Sequence, residues 1–133
     1  MQSRRELIAY HSVIEIHQWI EDVFTGKNEY DASLEKLLGS FSESFTMVTI
    51  GGQTANFSQV ESLFHKNIGR FPDLRIAIDG YEMLLNAPHG VMCRYRETHH
   101  NAGEVLTRWS VVMIELDKDK PRWRYLHETK IAE

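Results

Sequence analysis

Two glutamates, Glu82 and Glu97, stand in stretches whose alternation of apolar and polar residues aims them at an apolar face. A carboxylate in such a place is a candidate general acid or base, because burial disfavours its charged form and moves its pKa toward neutrality. Glu97 is the stronger candidate, with Tyr95 and Trp109 expected beside it. The competing account is structural: each carboxylate lies near an open strand end and reaches water, or pairs with an arginine. His127 belongs to the pattern Trp123-x-Tyr125-x-His127, which puts all three on one strand face. A histidine there is either a general base near neutral pH or a core histidine hydrogen-bonded beside Trp123. His17, on the apolar stripe of a helix, is either pocket-lining or a satisfied buried histidine. Cys93 shares the inner face with His127, but one strand lies between them. Their backbones are therefore roughly 9–10 Å apart at a ~4.8 Å strand spacing, and Cys93 reads as a small hydrophobe.

The elements that position these residues are legible. Ser3 and Glu6 fit a capping box, after which Leu7, Tyr10, Ile14, His17, Ile20 and Phe24 recur at helical spacing. A second stripe, Ile8, Ile16, Trp19 and Val23, widens the apolar face, and Gly26 ends the helix. A short helix follows, with Asp31 as cap and Gly39 as terminator. Residues 41–50 read as a strand. Ser58 and Glu61 suggest a second capping box, opening a helix that Gly69 and Pro72 close. The period then changes to two, and four strands are expected over 74–85, 90–100, 104–116 and 122–131, joined by short turns and hence antiparallel. Gly80 marks a bend or bulge.

If each turn sits midway, one face carries Ile76, Ile78, Gly80, Glu82, Leu84, Val91, Cys93, Tyr95, Glu97, His99, Thr107, Trp109, Val111, Met113, Trp123, Tyr125 and His127. The other carries Asp79, Tyr81, Arg94, Arg96, Arg108, Ser110, Arg122, Arg124 and Glu128. The first face should meet the helices and the second should meet water or another subunit. A one-residue slip would exchange the sets within a strand.

The 133 residues carry a net charge of −4 and 42% hydrophobic residues, as expected of one soluble domain spanning 1–133. No run of Lys and Arg is long enough to track phosphates, so no nucleic acid is expected. The longest wholly apolar run, Val111 to Ile114, is far too short for a bilayer, so no membrane is expected either. A single cysteine and the absence of a signal-peptide core fit the cytoplasm. Seven histidines invite a metal. His99 and His100 point to opposite faces, however, and His11 and His17 are about 120° apart on a helix. Neither a metal site nor a cofactor is expected.

The order helix, helix, strand, helix and antiparallel meander is that of an α+β domain. With Trp123-Arg124-Tyr125-Leu126-His127-Glu128-Thr129 it resembles the nuclear transport factor 2-like superfamily, in particular its SnoaL-like and ketosteroid isomerase-like branch. The resemblance implies a cystatin-like cone, a curved sheet wrapped around about three helices with a central pocket, and a homodimer through the outer sheet face. It also implies a small apolar or amphipathic ligand. If there is catalysis, the resemblance implies isomerase, cyclase or dehydratase chemistry by proton transfer. The isomerase's carboxylate on the first strand has no counterpart in Phe45 to Ile50, nor its acid in Ser110 to Met113. Tyr10 is the matching position that remains. The expected catalytic set is Glu97, His127 and Tyr10, with His17, Trp19, Tyr95 and Trp109 lining the pocket. The alternative is a non-catalytic association domain acting through its outer sheet.

Overall fold

The computed structural model describes residues 3–27 and 29–131. The first helix, α1 (Arg4–Thr25), starts where Ser3 accepts a hydrogen bond from the Glu6 amide and stops at Gly26, whose φ of 69° is left-handed. Its buried stripe runs through Ala9, Val13, Ile16, His17 and Val23, while Leu7, Tyr10 and Ile14 remain exposed. The expected apolar face was therefore too wide on one side. After α2 (Tyr30–Leu38), strand β1 (Phe41–Val48) pairs with a short strand, β2 (Thr54–Asn56), that the sequence reading missed. Helix α3 (Phe57–Lys66) does carry a capping box, two residues earlier than expected. Asn56 accepts from the Gln59 amide, and Gln59 accepts from the Asn56 amide, both at 2.9 Å. Asparagine caps as well as serine does, so local pattern alone did not distinguish the two starts.

The four later strands are β3 (Arg75–Ala87), β4 (Gly90–Asn101), β5 (Glu104–Asp117) and β6 (Lys120–Lys130). All six strands form one curved, unclosed sheet in the order β2-β1-β6-β5-β4-β3. Neighbours are antiparallel except β1 and β6, so the sheet is mixed rather than purely antiparallel. The helices cover one face, and the core joins Val13, Ile16, Leu37, Phe45, Tyr95, Val112 and Trp123. Buried Trp123 donates its indole N–H to Ser12 of α1, so sheet and helix share a satisfied polar contact inside the core. At the β3 edge, Glu21 of α1 accepts the Ile76 amide at 2.7 Å, occupying a donor that would otherwise face an open edge. No helix among the described residues is long and apolar enough to cross a membrane.

Register corrects the expected faces in three places. On β4, Val91, Cys93, Tyr95 and Glu97 are buried as expected. Between β4 and β5 the loop is only Ala102 and Gly103, both at positive φ, with Asn101 opposite Glu104. A two-residue loop displaces every partner by one relative to a turn centred on Ala102. Arg108, Ser110, Val112 and Ile114 therefore face inward, and Thr107, Trp109, Val111 and Met113 do not. On β6 the register shifts between Trp123 and Tyr125. Trp123, Leu126 and Glu128 face inward, whereas His127 is exposed, so Trp123, Tyr125 and His127 do not share a face. The bulge at Gly80, with φ 63°, is present. It turns Tyr81 and Met83 toward the core and sends Glu82 and Leu84 out.

Candidate functional site

Glu97 is buried on the inner face of β4, with each carboxylate oxygen held by a different histidine. Its Oε1 lies 3.0 Å from Nε2 of His17, which α1 presents from its buried stripe. Its Oε2 is held by Nε2 of His99, two residues along β4 on the same face. Hydrogen-bond roles follow from the partners. Val13 offers His17 a carbonyl oxygen at 2.7 Å, which can only accept, so Nδ1 of His17 carries a proton. Nε2 of His17 faces a carboxylate, so one further proton must lie between them.

That proton belongs to His17. Burial alone would lower the His17 pKa, but the Glu97 charge and hydrogen bond, with the Val13 carbonyl, outweigh it and hold the imidazole above its ordinary 6.5. Burial would likewise raise Glu97, but the charge and hydrogen bond of His17, with those of His99, hold it far below the usual carboxylate range. The expectation of a buried glutamate with a raised pKa thus fails at Glu97, because two imidazoles answer its charge. Since Glu97 is ionised, His99 donates to it from Nε2. The Nδ1 of His99 has no partner among the described residues.

A second charged pair lies beside the first. Arg108 of β5 stands directly opposite Glu97 in register, and its Nη1 donates to Glu128 of β6 at 3.3 Å. Burial and the nearby Glu97 charge push the Glu128 pKa up against the opposing effect of Arg108. His17, Glu97, His99, Arg108 and Glu128 form the polar side of a cavity of about 130 Å³ whose apolar walls include Ile16, Phe24, Phe45 and Phe64. A wider groove of about 530 Å³ shares Phe24 and His99 with it and continues past Phe71, Leu74 and Val105. Among the described residues, no three His, Cys, Asp or Glu side chains are placed to hold a metal ion.

Of the sequence candidates, Glu97 and His17 meet in this cluster. Tyr95 is buried edge-on to His17, at 5.2 Å between ring centroids, with burial raising its hydroxyl pKa. Trp19 packs against the core without lining the cavity. Tyr10 is exposed and meets Tyr81 edge-to-face. His127 and Trp109 lie on the outer face, where His127 bonds Tyr125 and the Trp109 ring is 5.5 Å from the Arg94 guanidinium. Glu82 is also outside, paired with Arg94. His99 was placed on the right face without a role, although the Glu97-x-His99 spacing was a usable signal. Arg108 and Glu128 were assigned to the wrong face. Reading Ala102-Gly103 as a two-residue loop would have brought Arg108 inside.

No protein-family model and no curated protein matches this sequence. Solved structures do. An NTF2-like protein of unknown function from Pseudomonas aeruginosa is 31% identical, with a TM-score of 0.89, and the match covers 94% of this chain and 99% of that one. A protein of unknown function with a cystatin-like fold from Nostoc punctiforme is 9% identical at a TM-score of 0.75, covering 100% of this chain and 96% of that one. An NTF2-like protein from Cytophaga hutchinsonii is 10% identical at 0.74, covering 98% of this chain and 100% of that one. The last two show likeness of fold alone.

Proposed function

We propose that this chain, which belongs to the NTF2-like family, binds a small apolar or amphipathic molecule in its interior cavity and moves a proton on it without a cofactor. The observation that supports this reading is the carboxylate clamped between two histidines, with one imidazole nitrogen left unpartnered at the cavity. His99 is the base. Glu97 fixes its Nε2–H tautomer, which leaves the Nδ1 lone pair to take a proton from the ligand. Glu97 is a positioning residue, since both its oxygens are occupied, and the His17 imidazolium balances its charge. Isomerisation and dehydration both need such a group. At roughly 30 Å³ per water molecule, the cavity holds about four waters' worth of ligand. The reacting head fits there, and a longer apolar body extends into the groove beyond His99.

The test is hydrogen–deuterium exchange at carbon. A panel of small ketones, hydroxyketones and keto acids is incubated with the protein in deuterated buffer, and loss of α-proton signals is followed by NMR. His99→Gln should lower the exchange rate about 10²–10⁴-fold, the usual worth of a general base. Exchange no faster than buffer across the panel, or exchange that survives His99→Gln, would rule out the proton-transfer reading.

A second reading, association through the outer sheet face, is favoured by the apolar side chains left in solvent there. Trp109 is 37%, Met113 38% and Leu84 44% exposed, more apolar surface than a lone sheet face needs. The homodimer expected from sequence would cover them. Sedimentation should then give a dimer at micromolar concentration that Trp109→Glu dissociates, and a clean monomer would remove this reading.

A further inference from the structure

Arg108 has more unmet hydrogen-bonding capacity than any other cavity residue. A guanidinium carries five N–H donors in a rigid planar fork. Among the described residues Arg108 engages one acceptor, Glu128, through a long 3.3 Å bond, and its Nε–H has no partner. Yet Arg108 is only 9% exposed and lines the cavity. Arg96, out in solvent, is fully matched by comparison, with bonds of 2.7 and 2.6 Å to the two oxygens of Asp79. Desolvation penalises the buried cation and not the exposed one, so the reverse allocation is the one that folding alone would favour. Glu97, opposite Arg108 in register, does not supply the missing acceptor: its hydrogen bonds go to His17 and His99.

We propose that Arg108 is a specificity-determining residue that anchors a carboxylate on the ligand, so that the cavity takes a small monocarboxylic acid with an apolar body. This rests on the reading of the cavity as a ligand site and names the ligand's chemical class. A carboxylate presents two coplanar oxygens that match the guanidinium fork, making the two-point contact Glu128 does not make. His17 offsets the Glu97 charge, and Arg108, tied to Glu128 by a single long bond, is the cation an incoming anion meets. A phosphate dianion fits poorly, because it would bring two charges beside Glu97 and Glu128. The aliphatic body lies against Phe24 and Phe45 and, when long enough, passes Phe71 and Leu74 into the groove.

Hexanoate and hexanamide, which share length and shape and differ in charge, test this by titration calorimetry on the wild-type protein. Hexanoate should bind at least about tenfold more tightly. Equal binding, or a preference for the amide, would overturn the assignment. A double variant, Arg108→Gln with Glu128→Gln, removes the cation without stranding its carboxylate and should bind the two probes alike; a carboxylate preference that persists there would also overturn it. The readout is binding, so its failure is distinct from failure of proton transfer. Turnover lost in His99→Gln leaves the carboxylate preference standing, and a missing preference leaves carbon-bound exchange untouched.

Discussion

The two faces of the sheet carry the same residue types under opposite conditions. Outside, Asp79 and Glu82 pair with Arg96 and Arg94 at 2.6 Å in open solvent. Inside, Glu97 and Glu128 are buried, and their partners are two histidines and one poorly matched arginine. The outer pairs have the better geometry. Water screens them, so little depends on whether they form. The inner groups are largely withdrawn from bulk solvent, so their neighbours weigh more in setting each protonation state. The comparison teaches that pairing quality does not mark the functional face here. The marks are burial, an unpartnered imidazole nitrogen and a guanidinium that is both under-used and turned to the cavity.

The largest effect that could break this comparison is at Glu97. Glu97→Gln leaves the His17 imidazolium without its counter-charge and should cost about 3 kcal/mol, the scale of a broken buried pair, measured by urea unfolding. If it costs no more than an outer-face substitution, the inner cluster is not held as described. Gly80→Ala comes next. It places a Cβ at φ 63° and within 3.3 Å of the Trp109 ring, and strain of this kind costs about 1–2 kcal/mol. Because that bulge is what sends Glu82 outward, the variant should also disturb the outer face more than the cavity.

The dependence on pH separates the faces more gently. Glu97's depressed pKa contributes stability that is present above the ordinary 4.5 and lost as pH falls through its much lower folded value. The raised pKa of His17 contributes stability that is fully present below 6.5 and lost as pH rises through its folded value. Raised Glu128 acts in the same alkaline direction. The urea midpoint should therefore fall as pH rises above about 6.5, and Glu97→Gln should flatten that slope. The smallest effect expected is Glu82→Gln, which should leave the urea midpoint within experimental error and respond only to salt.

Much of this arrangement was readable from the sequence, and what escaped it has definite causes. The meander, the Gly80 bulge and the burial of Tyr95 and Glu97 followed from alternation and turn residues. The contents of β5's inner face did not, because Asn101-Ala102-Gly103 serves equally as a three-residue turn or as one flanking residue and a two-residue loop. The β6 bulge at Arg124 carries no glycine to announce it, so His127 was placed inside. The meeting of His17 with Glu97 joins positions 80 residues apart, and no local pattern records which helix residue a strand residue will face. His99 was correctly oriented and overlooked because alternation gives a face and not a partner.

Glu97 holds two histidines that differ in their second partner: Nδ1 of His17 donates to the Val13 carbonyl, and Nδ1 of His99 is free among the described residues. Long-range ¹H–¹⁵N spectra of protein labelled at histidine report this directly. His17 should show both ring nitrogens protonated below pH 6.5, and the neutral form of His99 should be the Nε2–H tautomer with Nδ1 bare. A neutral His17 with only Nδ1 protonated, or an Nδ1–H tautomer for His99, would contradict the account.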